Sequence, residues 1–206
     1  MKNIFYRYQK IIALSPVASE SLLASVGVNK RLRLAEYSPA RQAESLSADV
    51  LARKLLESLY VSDSVMLEDD ENGAPFFVGS DYSVSLSHSG EYAAAAVSLR
   101  KIGIDIEADR LISDSLIRRI LSPEEQVWVY RQENASAAFL RLWTMREAYG
   151  KLNRIGIFTE QRFRAEFHGD MLCRDYPDCR FFFPLCPDGY TVSICTELPI
   201  DSDEEI

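Results

Sequence analysis

Three observations predict an α+β fold. Strand and helix patterns come in the order strands and helices, then helices and strands, with the change near residue 100 and no clean internal repeat. Short runs rich in β-branched and aromatic residues lie between Gly, Pro, Asn and Ser turn signals, whereas longer stretches carry apolar residues at three- and four-residue spacing. The chain has 206 residues, 47% hydrophobic and 26% charged, the composition of a soluble globular protein with a substantial core. Length alone allows one domain or two small ones.

From the N-terminus, Asn3 to Leu14 reads as a strand and Ser19 to Val26 as a short helix stopped by Gly27. Ser38 and Pro39 form an N-cap and first-turn proline, opening a helix through Leu46, Val50, Leu51 and Leu55. Val61 to Leu67 predicts a strand, the run Glu68 to Glu71 a solvated turn, and Gly73 with Pro75 a second turn. Tyr82 to Ser87, Tyr92 to Leu99 and Ile102 to Glu107 then read as three strands of a meander. Ala93 to Ala96 favours helix by propensity, but its place between two turns makes it a strand with close-packed neighbours.

Beyond Glu107 the pattern is helical. Ser113 to Ile120 is followed by Ser122-Pro123-Glu124-Glu125, a capping-box start to a helix through Val127 and Tyr130. A long amphipathic helix comes next, with Ala138, Leu142, Met145, Tyr149 and Leu152 in one stripe. Strands return at Arg164 to Phe167, Met171 to Arg174, Arg180 to Phe183 and Gly189 to Thr196, and the tail Asp201 to Glu205 is acidic and frayed.

With 31 acidic against 23 basic residues the net charge is -8, which gives no general attraction to nucleic acid or an anionic membrane. Any phosphate site must therefore be local. Cys173, Cys179, Cys186 and Cys195 lack the close spacing of a zinc site and read as reduced, mostly buried thiols. The first fourteen residues are interrupted by charges and form neither a signal nor a membrane span, so a cytoplasmic protein is the expectation.

Chemistry concentrates in Lys101-Ile-Gly-Ile-Asp105-Ile-Glu107. On a strand, Asp105 and Glu107 share a face opposite the three isoleucines. Two desolvated carboxylates so close need a counter-charge, and a divalent metal supplies one. On the long helix Glu147 and Lys151 project side by side four residues apart, a pair that by itself describes an ordinary surface helix. Lys30, Arg31 and Arg33 form a basic cluster that composition alone reads as a solvated face. His88 stands at a turn between Ser87 and Ser89, and His168 beside Gly169 carries no sign of chemistry.

Taken together the motifs are more specific. Gly103-Ile-Asp105-Ile-Glu107 and then Trp143-Thr-x-Arg146-Glu147-Ala-x-x-Lys151 resemble the two signatures of the phosphopantetheinyl transferase superfamily. Asn72-Gly73-Ala74-Pro75 and Ser85-Leu-Ser87-His88-Ser89-Gly90 resemble segments of its longer, surfactin-synthetase-activating type, so the likeness runs from about residue 70 to 195. It implies a pseudo-twofold pair of similar α/β half-domains, residues 1–100 and 101–198 with an acidic tail at 199–206, and an active site in the cleft between them. The implied reaction moves the 4'-phosphopantetheine arm of coenzyme A to a serine of an apo acyl or peptidyl carrier protein.

Residue by residue, the resemblance implies Mg2+ on Asp105, Glu107 and Glu147, with Glu147 and Lys151 as the catalytic pair. Coenzyme A falls to Gly73, Pro75, Ser87, His88, Asp105, Arg146, Lys151 and, on a looser match, Arg41, with basic residues among Lys30, Arg31 and Arg33 at its nucleotide end. A monomer is implied, with no nucleic-acid or membrane partner. Three positions depart from the family: Arg146 stands where a lysine is usual, Ala74 where the surfactin type often has lysine, and Glu44 where the register puts an arginine. The alternatives are a metal-dependent phosphohydrolase or nuclease, which the missing lysine after the second acid and the acidic charge disfavour, and a carrier-binding module without catalysis.

Overall fold

A computed structural model describes residues 4–11, 16–59, 65–155 and 163–198. In chain order the elements are β1 Ile4–Lys10, α1 Pro16–Ala24, α2 Val28–Ala35, α3 Pro39–Glu57, β2 Leu67–Asp69, β3 Pro75–Phe77, β4 Ser83–Ser89, β5 Tyr92–Ser98 and β6 Ile102–Ala108. There follow α4 Asp114–Ile120, α5 Pro123–Arg131, α6 Ala135–Asn153, β7 Phe167–His168, β8 Met171–Leu172, β9 Cys179–Phe182 and β10 Tyr190–Glu197. The mixed α/β composition is the expected one.

Two three-stranded antiparallel sheets organise the molecule, in the orders β1-β5-β4 and β6-β10-β9. The expected meander ends at β5. That strand already has β1 on one edge and β4 on the other, and a strand has only two edges, so β6 starts the second sheet and pairs with β10. Small β-hairpins, β2-β3 and β7-β8, lie outside the two sheets.

The alanine run forms the centre of β5, and its helix propensity yields to burial on both faces. Ala95 and Val97 meet Leu51, Ala52 and Leu55 of α3 in one cluster, while Ala94 and Ala96 meet Ile102, Ile104, Ile106 and Val192 of the second sheet in another. Methyl groups at these positions let both layers come close. Ser38 caps α3 by accepting from Arg41 N, and Ser122 with Glu125 completes the capping box of α5, both as expected.

The stripe expected on α6 is buried except for the half-buried Tyr149, but the opposite side is not free. Thr144 is fully buried with its hydroxyl 2.8 Å from Ser193 Oγ on β10, because α6 lies between the second sheet and a core cluster that includes α4 and α5. Gly103 explains how close α6 comes: a Cβ there would lie 1.8 Å from the Ala148 carbonyl oxygen. Only glycine fits under that turn of helix.

Other boundaries differ from the expectation. β2 begins at Leu67 and takes the first half of the acidic run, where Asp69 is 2% exposed and Glu68 accepts from Lys30 N at the start of α2, while Glu71 is exposed in the expected turn. Four orphan N–H groups begin every helix, and Glu68 satisfies two here, those of Asn29 and Lys30, from a distant strand. The expected ends of the first two strands at 12–14 and 61–64, and the tail from 199 on, lie outside the described residues.

Candidate functional site

A cavity of about 1200 Å³ is walled by α2, α3, the β2-β3 hairpin and β4 on one side and by β6 and α6 on the other. Both walls come from one chain. As the strand pattern predicted, Asp105 and Glu107 point to one face of β6 while Ile102, Ile104 and Ile106 fill the core on the other. That face also carries Gly103, so it is the face on which α6 lies. The helix brings Glu147 and Lys151 to the same cavity.

Asp105 is 5% exposed. Its Oδ1 accepts from Lys151 Nζ at 2.7 Å and from the Ser87 hydroxyl at 2.7 Å, whereas Oδ2 is buried without a hydrogen-bond partner. Burial pushes its carboxyl above the ordinary range despite Lys151, and Glu107 adds to the rise. Burial, and then the charge of Asp105, push Glu147 upward as well. Glu107 is held at both oxygens: Trp143 Nε1 donates to Oε1 at 3.1 Å, while Ser89 Oγ at 3.1 Å and Arg110 at 2.6 Å donate to Oε2. The acids are electrostatically coupled, yet as their side chains stand no group of three or more acid, histidine or cysteine residues converges as a metal cage among the described residues.

Farther along the cavity lie Gly73, Pro75, Arg41 and His88. His88 Nδ1 is 3.3 Å from Glu44 Oε2, and Arg41 Nη1 is 3.5 Å from the same oxygen. Burial first, and then the positive charge of Arg41, lower the His88 pKa. The carboxylate that stands in the family's arginine position thus holds two of the predicted contact residues together.

The basic cluster divides. Lys30 is 2% exposed and bonded within the fold, 2.8 Å from Asp49 and 3.4 Å from Asp69. Arg33 is partly exposed, donating to the Gly73 carbonyl at 2.9 Å and to Asp69, so it fixes the loop that carries Gly73. Arg31 is exposed and donates to the Val26 carbonyl.

Two of the expected contact residues are engaged within the fold. Arg146 does not reach the cavity: it is 4% exposed, and its guanidinium donates to the Ile120 carbonyl and to Glu125 on the far side of α6. The reason is helical geometry, since adjacent positions on α6 point about 100° apart and Glu147 takes the cleft. Ser87 does lie at the cavity, but its hydroxyl hydrogen is directed to Asp105 and its oxygen accepts from Ile106 N. In that arrangement it offers a phosphate no hydrogen. Glu44, Ser89, Arg110 and Trp143 escaped the sequence reading as partners of site residues; only Ser89, two residues from Ser87 on the same strand face, had a pattern that could have shown it.

An α+β protein whose cavity gathers Asp105, Glu107, Glu147 and Lys151 from one strand and one helix is the class that the fold and site define, and comparison with known proteins gives its family. Residues 29–98 match the 4'-phosphopantetheinyl transferase N-terminal domain, and residues 101–194 match the 4'-phosphopantetheinyl transferase superfamily. The 4'-phosphopantetheinyl transferase psf-1 of Bacillus pumilus is 32% identical over 167 residues, 75% of this chain and 71% of that protein. The 4'-phosphopantetheinyl transferase Sfp of Bacillus subtilis is 26% identical over 205 residues, 94% and 91% of the two chains. A putative 4'-phosphopantetheinyl transferase of Haemophilus influenzae is 29% identical over 136 residues, 63% of this chain but only 54% of that protein, so the match spans about half of its length. The chain belongs to the 4'-phosphopantetheinyl transferase superfamily.

Proposed function

We propose that this protein transfers the 4'-phosphopantetheine arm of coenzyme A to a serine hydroxyl of an apo carrier protein, releasing adenosine 3',5'-bisphosphate. One observation carries the reading: Asp105 and Glu107 on β6 face the cavity that Glu147 and Lys151 reach from α6, in a chain of this family. No described helix is long and apolar enough to cross a membrane, and the described cysteines are free thiols, as a reducing cytoplasm would keep them.

Magnesium fits the donor set. The buried Asp105 Oδ2 lacks a partner, and Glu107 and Glu147 add the hard oxygens that this ion prefers. When bound, the ion would neutralise charge on the pyrophosphate and orient it. The chain's own residues do the rest. Lys151, anchored on Asp105 Oδ1 and the Ile104 carbonyl, places an ammonium where charge develops during phosphoryl transfer. Glu147, with its raised pKa, accepts the proton of the attacking serine as that oxygen bonds to the β-phosphorus and the bond to the leaving bisphosphate breaks.

At the other end, Arg41 and His88 supply cationic and N–H contacts for the donor's phosphates, with the Gly73-Pro75 turn as wall. Ala74, where the surfactin type often has lysine, removes one such contact. A pseudo-twofold arrangement of halves at 1–100 and 101–198 is part of the proposal. Its support is that each half sets a three-stranded antiparallel sheet against a 19-residue helix, α3 in one and α6 in the other. Since one chain lines both walls, a monomer is the expected active form, and gel filtration checks it.

The test is intact mass spectrometry of an apo carrier protein incubated with this protein, coenzyme A and Mg2+. Gain of one phosphopantetheine, abolished by chelator and by Asp105→Ala, supports the reading; several unrelated carriers left unmodified would sink it.

A further inference from the structure

The sheets meet at β4 and β6, each the end strand of its own sheet, without a backbone ladder between them. An end strand leaves a row of N–H groups that need partners. Here three serines of β4 supply them. The hydroxyl oxygens of Ser85, Ser87 and Ser89 accept from Ile104 N at 3.0 Å, Ile106 N at 3.4 Å and Ala108 N at 3.0 Å. Alternate residues of a strand share a face, which is why every second position of β4 is serine.

A hydroxyl has two acceptor lone pairs and one hydrogen, so a serine that accepts from the backbone still has its hydrogen to give. Ser87 gives it to Asp105 Oδ1 at 2.7 Å, and Ser89 gives it to Glu107 Oε2 at 3.1 Å. Ser85 accepts from Ile104 N in the same two-residue step, and the residue before Ile104 is Gly103, which has no side chain to receive a hydrogen. The two hydroxyls pinned beside a carboxylate are thus those beside the two acids of β6.

Resting on the transferase reading, we propose that Ser87 and Ser89 are positioning residues for the cation-binding acids, not contacts to the donor's phosphates. Ser87, together with Lys151, occupies Asp105 Oδ1, so Oδ2 is the oxygen left for a divalent cation. Ser89 shares Glu107 Oε2 with Arg110 and fixes the carboxylate against Trp143. Groups that orient ligand side chains in this way typically change metal affinity about 10–100-fold when removed.

The experiment measures Mn2+ binding by electron paramagnetic resonance on the coenzyme A complex, beside steady-state kinetics with a carrier protein. It compares Ser85→Ala, Ser87→Ala, Ser87→Thr and Ser89→Ala. Ser87→Ala and Ser89→Ala are expected to weaken Mn2+ binding about tenfold or more, with KM for coenzyme A little changed and kcat reduced. Ser87→Thr keeps a hydroxyl and restores much of the affinity. Ser85→Ala lowers thermal stability but leaves Mn2+ affinity intact, which separates aiming from scaffolding. The proposal is overturned if the alanine variants keep wild-type Mn2+ affinity, if the main change at Ser87→Ala is a higher KM for coenzyme A, or if the wild-type complex binds no Mn2+. A wild-type protein that binds Mn2+ in a serine-dependent way yet modifies no carrier overturns the transferase reading and leaves this one standing.

Discussion

Lys151 Nζ donates to Asp105 Oδ1 at 2.7 Å, tying α6 to β6, yet the Asp105 carboxyl remains above its ordinary value because burial outweighs the ammonium. The proposed role of Asp105 and its contribution to stability therefore pull apart. A carboxyl with a raised folded pKa contributes stability in full below its unfolded value of 3.8 and loses that contribution as pH rises through the folded value. Glu147 has the same sign. Asp105→Asn removes the charge, so the variant should gain thermal stability over wild type as pH rises from about 4 to about 8, while losing transfer. Melting curves of both proteins across that range check it; a variant less stable at the higher pH contradicts the account.

Arg146 is a packing residue in this structure despite standing in the helix signature. It pairs with Glu125, which is fully buried and also accepts from Ser122 N and Ala165 N. Breaking one side of a buried pair leaves the other charge uncompensated. Arg146→Ala should cost about 3–5 kcal/mol in urea unfolding. Arg146→Lys, which keeps the charge but loses the fork, should cost less. Where Arg146→Lys is folded, KM for coenzyme A should stay within about twofold of wild type. A selective rise in KM without loss of stability would return Arg146 to the cleft.

How much of this was legible in the sequence depends on the range of the interaction. The strand face of Asp105 and Glu107 and the Glu147-Lys151 spacing are local periodicities, and they came out as read. The meander failed at β6 because the claim of β1 on the free edge of β5 comes from residues far back in the chain. Arg146 and Ser87 were placed by motif, but a motif gives positions, and the direction of a side chain depends on partners such as Glu125 and Ile106 N. Lys30 and Asp69 read as surface charges for the same reason: each is tolerable in the interior only because α2, α3 and β2 bring them together with Asp49.

Gly103 sets the separation of β6 from α6. Alanine there would drive a methyl into backbone of the Ala148 turn, which has no rotamer to escape through. Gly103→Ala should destabilise by about 1–3 kcal/mol or more as the helix is displaced. Because Glu147 and Lys151 ride on that helix, kcat should fall up to about 100-fold even in the folded fraction. Differential scanning calorimetry and carrier modification rates, measured together, check both parts.

Glu44 makes the last prediction. Its carboxylate sits 3.3 Å from His88 Nδ1 and 3.5 Å from Arg41 Nη1, and it offsets positive charge on the wall proposed to meet the donor's phosphates. Glu44→Gln keeps an oxygen in the same place but removes the charge, so the wall becomes more positive. All three side chains are partly exposed, and partly exposed pairs of this kind are worth about 0.2–1 kcal/mol. KM for coenzyme A should therefore fall by up to about fivefold, with kcat little changed and a steeper dependence on ionic strength. If KM rises instead, the carboxylate matters chiefly as the anchor that holds Arg41 and His88 in place, and Glu44→Ala should then raise it further.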